Sequence, residues 1–81
     1  MSAHNELRRV RLTNLRQAEK RLGCEIEALA RAIALNLDTA LTPVADLPVV
    51  ETAGLMDELV ARWAELTKAR ADAARLVAEL G

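Results

Sequence analysis

Phenylalanine and tyrosine are absent from these 81 residues, and tryptophan occurs once, as Trp63. A sheet core draws on aromatic and β-branched side chains, so this scarcity argues against one. Cysteine also occurs once, as Cys24, which rules out an internal disulfide framework and leaves a free thiol suited to a reducing compartment. A cytoplasmic protein is expected. No run approaches the ~20 apolar residues that cross a bilayer, and the N-terminus has no apolar signal-peptide core, so no membrane association is expected.

Functional side chains are equally sparse. His4 is the sole histidine and lies in a terminal segment prone to fraying, where a general base or metal ligand would lack a fixed partner. The Glu-x-x-His pairs of di-iron helical bundles do not occur. Lys20 and Arg21 precede Cys24 and favour its thiolate, yet no histidine stands near it to act as a base. These absences assign no catalytic, cofactor-binding or metal-ligating residue, and the chain is expected to be non-enzymatic and to need no cofactor.

What the sequence has in quantity is helix-forming apolar residue: 52% of the chain is hydrophobic, most of it Ala and Leu. From about residue 5 to 37, Leu12, Leu15, Leu22, Ile26, Leu29 and Ile33 recur at spacings of three, four or seven, which stacks them on one helical face. Gly23 interrupts that run and marks either a slight bend or, the reading favoured, a point of close backbone approach. From about residue 50 to 80, Leu55, Leu59, Leu66, Ala73, Leu76, Val77 and Leu80 share a face, with Trp63 at its edge. Beside it runs a second seam of smaller side chains, Val60, Ala64, Thr67, Ala71, Ala74 and Ala78, at alternating spacings of four and three. Small residues at this period admit a neighbouring helix at short distance, so the seam is the candidate oligomer interface.

Both prolines fall between the two runs. Thr42-Pro43 has the form of an N-cap followed by proline at the first helical position, which predicts a short helical turn, and Pro48 prevents that turn from continuing. In this connector, residues 38–49, and the residue after it, Leu41, Val44, Leu47, Val49 and Val50 are expected to cap the open end of the helix pair, the alternative being an exposed apolar docking loop. Asp57 and Glu58 are expected near the first turns of the second helix, where its dipole favours negative charge. Glu27 with Arg31 and Glu58 with Arg62 have the i, i+4 order of helix-supporting ion pairs.

The architecture that follows is a single all-α domain over residues 1–81, an antiparallel two-helix hairpin. Ordering the chain costs roughly 120 kcal/mol, which at ~25 cal/mol/Å² requires on the order of 4,800 Å² of apolar burial. A two-helix rod has too much surface for its volume to reach that figure, so dimerisation into a four-helix bundle is expected.

Charge is distributed unevenly although the formal net value is only -1. Residues 1–21 hold six basic and two acidic side chains, while the remainder hold five and ten. Arg9, Arg16 and Lys20 lie opposite Leu15 and Leu22 and form the candidate partner-binding stripe. Stripes of this kind line up with phosphates or with acidic proteins. Here Arg8 and Arg11 fall on the apolar side, no aromatic residues are interleaved for stacking, and the pI is near 5.8, all of which favours a solvated face or a surface for an acidic protein partner over phosphates. The expected function is therefore a helical-hairpin interaction protein: an adaptor, chaperone, small subunit or structural component, of a kind that would suit phage or secretion machinery. A nucleic-acid-associated regulator using the basic half of the first helix is the alternative.

Overall fold

The computed structural model describes residues 3–81. The chain forms helix α1 (Ala3–Asn36), a single 3₁₀ turn (Val44–Asp46) and helix α2 (Val49–Leu80). It is 87% helical, without strands among the described residues, and the two long helices pack against each other as a hairpin.

Register is constant along the whole hairpin. Arg8 pairs with Glu79, Glu25 with Arg62, Glu19 with Arg70, and Asn36 donates to Thr52. Each pair of numbers sums to between 87 and 89, as an antiparallel pair without bulge or kink requires. The positions turned toward the partner repeat every seven residues: 12, 15, 19, 22, 26, 29 and 33 on α1, and 52, 55, 59, 62, 66, 69, 73, 76 and 80 on α2. This is coiled-coil spacing.

Two cylinders touch along one line, so few side chains are enclosed on all sides. Leu22, Leu66, Ala69, Ala73 and Leu76 are the buried apolar residues, and Ala73 has no exposure. The rest of the ladder, including Leu12, Leu15, Ile26, Leu29, Leu55 and Leu59, is half-buried. Ala69 and Thr52 belong to this core without having been expected there. Val77, expected in it, is 46% exposed. Ala69 lies between Lys68 and Arg70, and Thr52 is polar, so neither stands out as apolar in the linear sequence.

The connector is built by local hydrogen bonds. Asp38 ends α1 by accepting from the Ala40 N–H through Oδ1 at 2.9 Å, an Asx turn that draws the chain out of the helix. The 3₁₀ turn is closed by the Asp46 N–H to the Pro43 carbonyl at 2.9 Å. Pro43 sits at its cap position, one residue earlier than a first-turn proline, and Thr42 makes no capping bond. Pro48, at φ -79° and ψ 67°, is the centre of an inverse γ-turn in which the Val49 N–H reaches the Leu47 carbonyl at 2.8 Å. Thr52 then bonds the Pro48 carbonyl through its N–H at 2.9 Å and also through its hydroxyl, starting α2.

Several expectations are corrected here. The connector does not seal the end of the helix pair: Leu41, Val44, Val49 and Val50 are exposed, Val50 at 82%, and only Leu47 is half-buried. A stretch of twelve residues bound by its own backbone has too little reach to fold back over the core. Gly23 is not a close-approach point within the hairpin, since a Cβ there meets no atom within 4 Å and α1 runs through it unbroken. The acid of the first turn of α2 is Glu51, because the helix begins at Val49. Glu27 pairs with Arg31 as expected, whereas Arg62 turns from Glu58 to Glu25 on the other helix, at 3.2 Å. The rod measures 63 Å in its longest dimension, against about 45 Å for thirty-residue helices. The helices are 34 and 32 residues long, and the connector extends beyond them.

Candidate interaction surface

Two charged side chains, Arg62 and Glu19, interrupt the core ladder and organise what lies on either side of it. On one flank, Glu25 accepts from Arg21 at 3.2 Å through Oε1, while Oε2 lies 3.2 Å from Arg62 Nε. That flank continues with Arg62–Glu65 and Arg8–Glu79, so ion pairs occupy it from the connector half to the open end. Asp72, on the same flank, is held by Lys68 and Arg75 of its own helix. Glu79 instead reaches across to Arg8 of α1, at 3.1 Å.

On the other flank, Glu19 lies between Arg16 at 3.0 Å and Arg70 at 4.0 Å. One carboxylate meeting both guanidinium groups places Arg16 and Arg70 on the same side of the hairpin. Stepping by seven from each, that side also carries Gly23 and Ala30 of α1, Leu37 just past its end, and Trp63, Met56 and Val49 of α2. Its open-end half is basic and its connector-end half is apolar.

The six seam residues, Val60, Ala64, Thr67, Ala71, Ala74 and Ala78, are all exposed, on the face of α2 turned away from α1. Along the border between this seam and the apolar flank run Val49, Ala53, Met56, Val60, Trp63, Thr67, Arg70, Ala74 and Val77, at strictly alternating spacings of four and three. The stripe includes large side chains left in solvent, with Val60 at 59% and Trp63 at 60% exposure. Val49, Met56, Trp63 and Val77 were not read as part of this surface. Their seven-residue repeat was the signal, obscured because Val49 was grouped with the connector and Trp63 and Val77 with the core.

The basic stripe is exposed at Arg9, Arg16 and Lys20. Arg16 is engaged by Glu19, and Arg9 carries a backbone carbonyl that accepts from the Thr13 hydroxyl at 3.1 Å. Arg70 joins the stripe from the other helix, an addition that depends on the hairpin register. His4 and Cys24 are both exposed. Among the described residues no group of three or more His, Cys, Asp or Glu could hold a metal ion, and no helix is long and apolar enough to cross a membrane. Compared with known proteins, this chain matches no family model, no curated protein and no solved structure.

Proposed function

We propose that this chain is a non-enzymatic helical-hairpin interaction protein that acts through the outer face of α2, as an adaptor, small subunit or structural component of an assembly. The observation that carries this reading is the exposed heptad-spaced stripe from Val49 to Val77. Apart from Arg70, which meets Glu19 of α1, folding of the hairpin does not use it. Burying a Val, Met or Leu side chain yields about 1.5–3 kcal/mol, so several such residues held in solvent at helical period are a surface prepared for another helix. Arg9, Arg16, Lys20 and Arg70 form a basic rim at one end of that surface and bias the choice of partner toward acidic surfaces. The exposed Cys24 thiol suits a reducing cytoplasm, where we place the protein.

Site-specific photo-crosslinking in the source cell tests this. A photoreactive residue at Val60 should capture protein, whereas the same residue at Lys68, among the intrahelical ion pairs, should not. Equal capture from both positions, or none from Val60, overturns the reading. Salt-sensitive DNA binding by the purified protein, lost when Arg9, Arg16 and Lys20 are replaced by Gln, would put the nucleic-acid alternative in its place.

A further inference from the structure

We infer that the occupant of the α2 outer face is a second copy of this chain, docked antiparallel about a two-fold axis at Trp63 to complete a four-helix bundle. This rests on the interaction reading above and names its partner.

The first support is area. The chain exposes 5904 Å². A compact protein of its 8.8 kDa mass exposes only about 4,800 Å². The surplus, roughly 1,100 Å², is comparable to the ~800 Å² that each partner contributes to a stable interface.

The second support is charge. Leu22 and Leu66 are level with each other in the hairpin register and divide the rod into halves. Residues 1–21 and 66–81, the open half, hold nine basic and four acidic side chains, a balance of +5; residues 22–65, the connector half, hold two and eight, a balance of -6. A second rod laid side by side in the same direction sets like charge against like along its length. Reversed, it sets each basic half against an acidic one, and the match is the same for both copies, as a two-fold interface requires.

The third support is the order of the stripe itself. Trp63 lies at its centre. Val49 and Val77 are fourteen residues to either side of it, Met56 and Arg70 seven, and Ala53 and Ala74 ten and eleven. An antiparallel self-pairing therefore sets valine on valine near the ends and alanine on alanine inside them. The alkyl stem of Arg70 covers Met56, and its charge remains at the rim. At the axis the two Trp63 rings meet between Val60 and Thr67 of each copy.

The test uses the full chain with Cys24→Ser, into which Ala53→Cys and Ala74→Cys are introduced separately. Both sites are exposed, so each variant should keep the parent's helicity. Mixed under mild oxidation, the two should form a disulfide-linked heterodimer in preference to either homodimer. Sedimentation of the unmodified protein at micromolar concentration should give twice 8.8 kDa, and Trp63→Glu should return it to the monomer mass without loss of helix. Homodisulfides of Ala53→Cys forming as readily as the mixed product, a monomeric parent protein, or a dimer that survives Trp63→Glu would each overturn the inference. The interaction reading would outlast a monomeric result if Val60 still crosslinked to a different protein, and would fail with it if Val60 captured nothing.

Discussion

Trp63 shows how one side chain takes its meaning from its neighbours. At the edge of an apolar stripe it reads as core, yet it stands mostly in solvent because Arg62, the residue before it, occupies the core-facing position and reaches across to Glu25. Glu19 has the same effect on α1, holding Arg16 and Arg70 where a leucine would otherwise continue the ladder. Glycine is simpler at this scale. Gly54 lies on the exposed outer side of α2, and a Cβ added there meets nothing within 4 Å. Gly54→Ala should therefore stabilise the hairpin by about 1 kcal/mol through helix propensity alone, read as a higher thermal midpoint. An unchanged or lower midpoint would mean that the outer side of α2 is packed at that position.

At the scale of the element, the helices are long because nothing in residues 3–36 or 49–80 stops them, and they end where local chemistry intervenes. Asp38 closes α1 with an Asx turn, and Pro48 sets the γ-turn from which α2 departs. Leu41 and Val44 of the connector are exposed and contribute nothing to sealing the hairpin. Leu41→Ser with Val44→Ser should accordingly change stability by no more than about 0.5 kcal/mol, within the usual range for exposed positions. A clear loss in thermal or urea midpoint would show these side chains to be covered in solution.

The whole molecule is a rod with a radius of gyration of 18.3 Å. A compact domain of this length has one near 12 Å. Opposite charges gathered in its two halves make end-to-end polarity a property of the molecule rather than of any residue. Pairing of two copies by charge should weaken with added salt, because exposed charges are screened within a Debye length. Raising salt well above physiological strength should increase the dimer dissociation constant roughly tenfold, measured by sedimentation, while the helicity of each chain stays constant. Dissociation that is indifferent to salt would leave the apolar stripe as the whole of the driving force.

Alternation of leucines at three and four residues, the clustering of both prolines and the absence of sheet-forming aromatics already determine two long helices folded back on each other. Periodicity carries that information because a helix repeats every 3.6 residues whatever surrounds it. The seam from Val60 to Ala78 is likewise legible as a second face of α2, since one hairpin supplies only one neighbour. Tertiary structure decided which apolar residues are core and which remain outside. Val77, Trp63 and Val49 have the same chemistry as residues of the ladder, and only the crossing of two helix surfaces selects among them. It decided that Arg62 meets Glu25 and Arg8 meets Glu79, pairs that turn on a register between helices that intrahelical spacing does not contain. The exposure of the connector was decided there as well: an apolar composition favours burial, but a short turn pinned by its own backbone bonds cannot reach the core it would have to cover.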